Sequence, residues 1–160
     1  VPILKDLDGR MSSSRIRAAL SEGELQEAKE LMGRPYRLRG EVVQGRGIGR
    51  QLGWPTANLQ IDGRKFLPGL GVYAAWVSIN NQQTRLASVM NLGPQPTVDP
   101  TSPSALEVHL LDIELDLKGC KLLVEPVKRL RNQRRFQTLE LLSDQISKDV
   151  EITRSILRSF

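Results

Sequence analysis

A glycine-rich stretch over residues 45–58 carries the residue types best suited to holding a phosphorylated ligand. It reads GRGIGRQLGWPTAN, so four glycines accompany Arg46 and Arg50. Glycines let backbone N–H groups approach an anion closely, and arginines add charge and a fork geometry that phosphate oxygens accept. The stretch closes with Thr56 and Asn58, whose oxygens lie on one face of an extended segment. Such oxygens are suitable ligands for a hard cation, and Mg²⁺ usually needs only one or two protein ligands.

Counting residues excludes two familiar glycine motifs. The Walker pattern needs Lys followed by Ser or Thr after its last glycine, and the stretch contains no lysine. The dinucleotide-binding fingerprint needs a third glycine where Arg50 or Leu52 stands. The residues alone leave two readings open: a phosphate-binding loop, or a long hairpin connection with Thr56 and Asn58 as turn or cap residues.

Two further side chains could act as a general base. Glu107 and His109 alternate along a predicted strand and therefore share a face, where either could accept a proton from a bound hydroxyl. A single carboxylate on a strand is more often solvated or salt-bridged, and a single histidine is more often structural. The chain has one histidine and one cysteine, so a zinc site of the usual kind is excluded.

A basic run before the last helix offers a second possible anion site. It could bind a nucleotide or a nucleic acid, or simply be solvated, and we expect solvation for at least three of its five charges. Aromatic residues make up only 4% of the chain, which argues against a stacking platform for single strands. The run consists of Lys128, Arg129, Arg131, Arg134 and Arg135.

The elements that must position these residues are mostly strands. Two short helices are predicted after Ser12 and over 24–32, the second ending at Gly33. Strands are predicted over 36–44, 57–61, 71–80, 84–91, 106–117 and 121–127, without crossover helices, which favours an antiparallel barrel or sandwich. A proline-rich loop separates the fourth and fifth strands. An amphipathic helix of about twenty residues, with Phe136, Leu142, Ile146 and Val150 on one face, is expected to pack on the sheet.

Composition limits the class of protein. The 160 residues are 39% hydrophobic and 26% charged, which is typical of one soluble domain. No apolar run approaches the ~20 residues of a membrane span, and no signal-peptide pattern opens the chain. The net charge of +5 favours anionic partners. Because the first residue is Val1, we expect a piece of a longer or processed chain.

Five stretches occur in this order along the chain: GRPYRLRGEVV (33–43), GRQLGWPTAN (49–58), PGLGVYA (68–74), NLGPQPT (91–97) and EVHLLD (107–112) with the later LKG (117–119). Together they resemble the riboflavin kinases, in particular the C-terminal kinase module of bacterial FAD synthetases. The similarity covers roughly residues 33–150, and its most specific part is the Pro-Thr-Ala-Asn sequence. Lys118 stands where the family usually has tyrosine, and Asn132-Gln133 where an acidic pair is usual.

The resemblance implies a six-stranded antiparallel Greek-key barrel with a C-terminal amphipathic helix, preceded by a short helical stub. It implies Mg²⁺- and ATP-dependent phosphorylation of the riboflavin 5′-hydroxyl, giving FMN and ADP, in a cytoplasmic enzyme. Glu107 is then the general base, and Thr56 and Asn58 are the metal ligands. The other implied binding residues are Gly47, Arg50, Gly53 and Pro55 in the nucleotide loop, Asn91 near it and Arg131 on the flavin side.

Residues 12–17, reading SSSRIR, resemble the last nucleotide motif of the adenylyltransferase module that precedes the kinase in those enzymes. The rest of that module is absent, so we do not expect adenylyl transfer to FMN. The implied division is a stub and linker over 1–34 and a kinase domain over 35–160. Membrane partners are not expected and nucleic acid is unlikely. The alternative is a non-catalytic barrel that binds flavin or nucleic acid.

Overall fold

The computed structural model describes residues 13–43, 53–62, 64–94 and 105–160. Two short helices come first, followed by six strands and one long helix. The helices are α1 (Ser13–Ser21), α2 (Leu25–Met32) and α3 (Leu139–Leu157), and the strands are β1 (Leu38–Val43), β2 (Ala57–Ile61), β3 (Gly71–Ile79), β4 (Leu86–Leu92), β5 (Leu106–Leu110) and β6 (Lys121–Arg131).

The six strands form a closed barrel in the order β1-β2-β5-β4-β3-β6. Every neighbouring pair is antiparallel. Strands β3, β4 and β5 follow one another as a meander, and β6 returns to lie beside β3, which is the Greek-key arrangement. The predicted mainly-β class and the six-stranded barrel are thus confirmed. Closure leaves no unpaired sheet edge to protect.

Alternating side chains fill the barrel. Leu59, Leu106 and Leu92 are direct cross-strand neighbours on β2, β5 and β4, and none is more than 1% exposed. They belong to one apolar cluster with Tyr73, Met90 and other inward-facing residues. Because successive side chains on a strand point to opposite faces, the residues next to each of these leucines along its strand must face the outside of the barrel.

Two predicted strand ends differ from the observed ends by more than two residues. The strand expected over 106–117 ends at Leu110, because Asp112 has a φ of +60°, which an extended strand cannot accommodate. The last strand continues to Arg131 rather than ending at 127. The extension is held by β3, where Tyr73 pairs with Arg129 and Val72 with Arg131. Part of the predicted basic run is therefore strand.

The N-terminal helices pack on the barrel. Leu20, Leu25 and Ala28 are no more than 3% exposed and belong to the same cluster as the barrel interior. Gly33 ends α2 with a φ of 77°, the left-handed cap conformation expected from the sequence. The Gly69 N–H donates to the Leu20 carbonyl at 2.9 Å, which ties the segment before β3 to α1. The boundary at residue 34 stays a prediction.

Helix α3 covers part of the outer face. Its first turn is capped by Thr138, whose hydroxyl accepts from the Leu141 N–H at 3.1 Å. Val150 packs with Val72 and Val89 from β3 and β4, and Leu157 packs with Ala74 and Val127. Phe136, expected on the helix, lies before its first residue. Within the described part of the chain, no helix combines the length and the apolar character that crossing a membrane requires.

Candidate active site

Three polar residues form a row across the outside of the barrel. Asn58 on β2 pairs with Glu107 on β5, and Glu107 pairs on its other side with Asn91 on β4. Direct cross-strand neighbours have Cβ atoms about 4.5–5.5 Å apart and point to the same face. That face is the outer one, because Leu59 and Leu106, one residue away on their strands, line the interior. We call Asn58, Glu107 and Asn91 the polar row.

Barrel closure continues the row on both sides. Asn58 also pairs with Val43 on β1, while Asn91 pairs with Val72 and Val72 with Arg131. The fold therefore places Arg131 on the same level as Glu107, two strands beyond Asn91. Four residues predicted separately from distant parts of the sequence lie along one line on the barrel surface.

Thr56 and Asn58 carry the oxygens expected to bind a metal. Thr56 lies in the segment that leads into β2 and is exposed, whereas Asn58 is only 6% exposed. Within residues 13–43, 53–62, 64–94 and 105–160, no three His, Cys, Asp or Glu side chains come together as a metal site. One hydroxyl and one amide oxygen suit a Mg²⁺ ion whose other ligands are waters and phosphate oxygens, and they do not suit a closed protein cage.

His109 lies two residues beyond Glu107 on the same face, but it is already engaged. Its Nδ1 lies 2.7 Å from the carbonyl oxygen of Pro55. The Trp54 ring stands edge-on to the imidazole, with ring centroids 5.6 Å apart and planes at 82°. Trp54 Nε1 donates to Ser143 Oγ of α3 at 3.0 Å. Of the two bases left open by the sequence, Glu107 is the one that belongs to the polar row.

The guanidinium of Arg131, a residue expected on the flavin side, is hydrogen-bonded to other groups of the protein. Its Nε and terminal nitrogen contact the Asp149 carboxylate at 3.0 and 2.8 Å, and its other terminal nitrogen donates to the Asn132 carbonyl. Gln145 Nε2 donates to the same carboxylate at 3.0 Å. Gln133, from the loop after β6, donates to Asn91 Oδ1. The β6–α3 connection is thereby tied both to the helix and to the polar row.

The rest of the basic run shows how its charge is used. Arg129 donates to the Leu70 carbonyl, and Arg134 donates to Gln145 at 3.3 Å. Lys128, Arg134 and Arg135 are exposed. Arg129 and Arg131 thus make contacts within the protein, whereas Lys128, Arg134 and Arg135 are exposed to solvent. These five charges do not form one continuous cationic surface.

Two of the remaining loop residues can be placed. Gly53 has a φ of +81°, and no atom of the described residues lies within 4 Å of the position that a Cβ would take there. Pro55 supplies the carbonyl that His109 binds. Gly47 and Arg50 lie outside the described residues. Sequence reasoning gave no role to Trp54, Ser143, Gln133 or Asp149. For Trp54, its position beside Pro55 in the glycine-rich stretch was a signal that could have been used. Ser143, Gln133 and Asp149 reach the site only through tertiary packing, and the local sequence around them gives no such signal.

Two buried tyrosines hold the segment between β2 and β3. Tyr36 donates its hydroxyl hydrogen to the Phe66 carbonyl, and Tyr73 donates to Gly69. Burial raises the pKa of Tyr36 above its usual range, with the neighbouring Tyr73 adding to the effect. Burial also raises the pKa of Tyr73. Both phenols therefore stay protonated and act as donors.

The family model described as Flavokinase: Riboflavin kinase matches residues 32–157. A protein of Pseudomonas fluorescens, named bifunctional riboflavin kinase/FMN adenylyltransferase, is 41% identical over 152 residues, which cover 94% of this chain. The chain covers only 48% of that relative's length.

Two solved structures share the fold. The crystal structure of a macrolide-efflux protein from Streptococcus pneumoniae matches with a TM-score of 0.82 and 36% identity, covering 96% of this chain and 50% of that one. The riboflavin kinase of Trypanosoma brucei matches with a TM-score of 0.55 and 23% identity, covering 78% of this chain and 80% of that one. The second likeness bears on the fold alone.

Proposed function

The chain belongs to the riboflavin kinase family, and from that membership we propose that it phosphorylates riboflavin. The riboflavin 5′-hydroxyl oxygen attacks the γ-phosphorus of ATP, the bond from that phosphorus to the β–γ bridging oxygen breaks, and FMN and ADP are the products. The chain is similar to the kinase part of its bifunctional relatives. Adenylyl transfer to FMN is therefore not proposed for it.

The polar row is the observation that carries the proposal. Asn58, Glu107 and Asn91 stand side by side on three strands, on the face that lies outside the filled barrel. Glu107 is the base: its carboxylate accepts the proton of the 5′-hydroxyl as the oxygen attacks. A positioned carboxylate of this kind typically contributes about 10²–10⁴-fold to the rate. Placing it on a strand inside a closed sheet fixes its backbone and restricts its reach.

Thr56 and Asn58 would hold Mg²⁺ through one hydroxyl and one amide oxygen. When bound, that ion supplies charge neutralisation on the transferring phosphoryl group. Alternation along the segment gives both oxygens the same face. The register of β2 against β5 then puts Asn58 beside Glu107. A ligand held by Asn58 and a hydroxyl facing Glu107 would then be neighbours, which is the positioning that phosphoryl transfer requires of a protein.

The remaining assignments complete the two substrate sites. Gly47, Arg50, Gly53 and Pro55 would form the loop around the ATP phosphates. Asn91 would face the reacting groups from the β4 side, with its Oδ1 already occupied by Gln133. Arg131 would bound the flavin side. Because Asp149 holds its guanidinium, we assign Arg131 the role of fixing the shape of that side rather than supplying a free charge.

Incubation of the chain with riboflavin and Mg-ATP, followed by chromatographic detection of FMN, tests the activity. Glu107→Gln should lower kcat by about 10²–10⁴-fold. Glu114→Gln, which changes an exposed carboxylate in the loop after β5, is the matched control and should turn over like the wild type. Circular dichroism of both variants checks that they are folded.

Two results would count against the proposal in different ways. Wild-type turnover by Glu107→Gln would refute Glu107 as the base while leaving the reaction intact. Absence of FMN with the wild-type chain, together with retained binding of riboflavin in a calorimetric titration, would point instead to a non-catalytic flavin-binding barrel.

A further inference from the structure

We propose that His109 is a positioning residue whose Nδ1–H holds the Pro55 carbonyl and thereby fixes Thr56 and Asn58. This inference rests on the proposed function, because it concerns the placement of the residues that would hold the metal and the nucleotide. It assigns His109 a task distinct from that of Glu107, although the two side chains share one face of β5.

The β2–β5 ladder explains why a side chain is needed at this point. Its last pair in the direction of Pro55 joins Ala57 to Val108, so the next pair would have been Thr56 with His109. Pro55 has no N–H and cannot donate to a ladder. Between the described residues of β2 and β5, the ladder therefore ends at Ala57, and Pro55 lies beyond its last pair. The His109 side chain bonds the Pro55 carbonyl, at 2.7 Å, just where that ladder ends.

The partner determines the tautomer of the imidazole. A backbone carbonyl oxygen can only accept a hydrogen bond, so Nδ1 must carry the hydrogen. In the neutral ring, the lone pair then lies on Nε2. Protonation of Nε2 would leave the Nδ1–H in place, so the bond to Pro55 persists in both charge states of the ring.

The imidazole is itself held from a second side. The edge-on Trp54 ring contacts it, and Trp54 is anchored to α3 through Ser143. Trp54 directly precedes Pro55 in the chain, so the same segment is attached once to the helix and once to β5. The Trp54–Pro55 peptide is thus held on one side by the Trp54 side chain and on the other by the Pro55 carbonyl. These two attachments restrict both the position and the rotation of the next residue, Thr56.

The expected consequence is a loss of nucleotide handling when the hydrogen bond is removed. A displacement of about 1 Å in a positioned group can cost about 10²-fold in rate. Releasing Pro55 would displace Thr56 directly, while Glu107 stays in the β5 ladder between β2 and β4. The defect should therefore appear with Mg-ATP and be small with riboflavin.

His109→Asn and His109→Leu form a matched pair for the test. The Asn amide nitrogen occupies the position of Nδ1 and can still donate, whereas Leu has nearly the same shape as Asn and no donor. We expect His109→Leu to have a kcat/KM for Mg-ATP at least about tenfold below that of His109→Asn, with a raised KM for Mg-ATP and a similar KM for riboflavin. Equal KM values for Mg-ATP in the two variants, at equal thermal stability, would overturn the proposal.

The tautomer gives a test that does not depend on catalysis. The chain has a single histidine, so its ¹⁵N-labelled imidazole gives one unambiguous pair of nitrogen signals. We expect the hydrogen-bearing signal on Nδ1 and the lone-pair signal on Nε2 near neutral pH or, if the ring is charged, hydrogens on both. A neutral ring with its hydrogen on Nε2 would refute the inference even in an active enzyme. If the wild type made no FMN, the proposed function would fail. The role of His109 would then be tested by binding of Mg-ADP: weaker binding by His109→Leu than by His109→Asn would support it, and equal binding would refute it.

Discussion

Replacing Asp149 with asparagine should be among the more damaging single changes outside the polar row. The Asp149 side chain is 3% exposed and the Arg131 side chain 18% exposed, and the pair is joined by contacts from two guanidinium nitrogens. Asp149→Asn keeps the shape of the side chain but removes the charge, and its amide group turns a donor toward the arginine. The guanidinium is then left without a counter-charge in a mostly dry environment.

The size of the effect follows from burial. Removing one partner of a buried ion pair costs about 3–5 kcal/mol. Arg131 retains some exposure and its bond to the Asn132 carbonyl, so the low end, about 3 kcal/mol, applies here. An unfolding entropy of about 2.1 cal/mol/K per residue over 160 residues converts this into a fall in Tm of about 9 °C.

Thermal unfolding followed by circular dichroism measures this fall, with Asp62→Asn as the control. Asp62 and Arg64 also approach to 2.8 Å, but their side chains are 57% and 91% exposed. Solvent screening should keep the change in Tm to about 1 °C or less. Arg131→Met with Asp149→Leu should recover much of the loss, since apolar replacement of a whole buried pair is often neutral. Equal falls for the two single variants would refute the argument that burial gives the Arg131–Asp149 pair its importance.

Two other predictions concern the segment before β3. The chain has only two tyrosines, Tyr36 and Tyr73, and burial raises both pKa values above the ordinary 10.0. The stability that depends on their protonated state is complete below pH 10 and falls as the pH rises further. Absorbance titration should show tyrosinate forming at a higher pH in the folded protein than in the unfolded chain in urea, and an ordinary midpoint in the folded state would contradict this. Gly69→Ala places a Cβ 2.3 Å from the Ser21 carbonyl oxygen, so the backbone must shift and the free energy of unfolding should fall by about 3 kcal/mol. At Gly119, φ is +75° and no described atom lies within 4 Å of the position of an added Cβ, so Gly119→Ala should cost about 1 kcal/mol in urea denaturation. Equal costs for the two variants would show that the close approach at Gly69 is unimportant.

Local signals in the sequence were sufficient for most of the barrel. β2 was predicted with its observed bounds, and the bounds of β3 differ by one residue, because alternation and turn residues are read from neighbouring positions. The same signals failed after Leu110, where Ile113 and Leu115 continue an apparent alternation. The backbone turns at Asp112, and both side chains are exposed. A period of two indicates a strand only where a partner strand is available.

The candidate site shows a different limit. Alternation alone predicted that Thr56 and Asn58 share a face, and that Glu107 and His109 share another. It could not predict that Asn58 and Glu107 are neighbours, because that depends on the register of β2 against β5, which a single sequence does not encode locally. The contact of Gln133 with Asn91 and that of Asp149 with Arg131 depend on the path of the chain after β6. Only the resemblance to a family selected Glu107 over His109.

The chemistry proposed here has to occur outside the barrel, and this explains the position of α3. The interior is lined by apolar side chains such as Leu59, Leu106 and Met90, which are unfavourable surroundings for a charged nucleotide. On an uncovered outer face, the polar row would be fully exposed to water, and no neighbouring element would enclose a bound substrate. Helix α3 supplies a wall and holds the structure on both sides of the polar row. Ser143 holds Trp54 in the segment before β2, and Asp149 holds Arg131 at the end of β6. A change on the helix that releases either contact should therefore reduce activity without touching the groups that react.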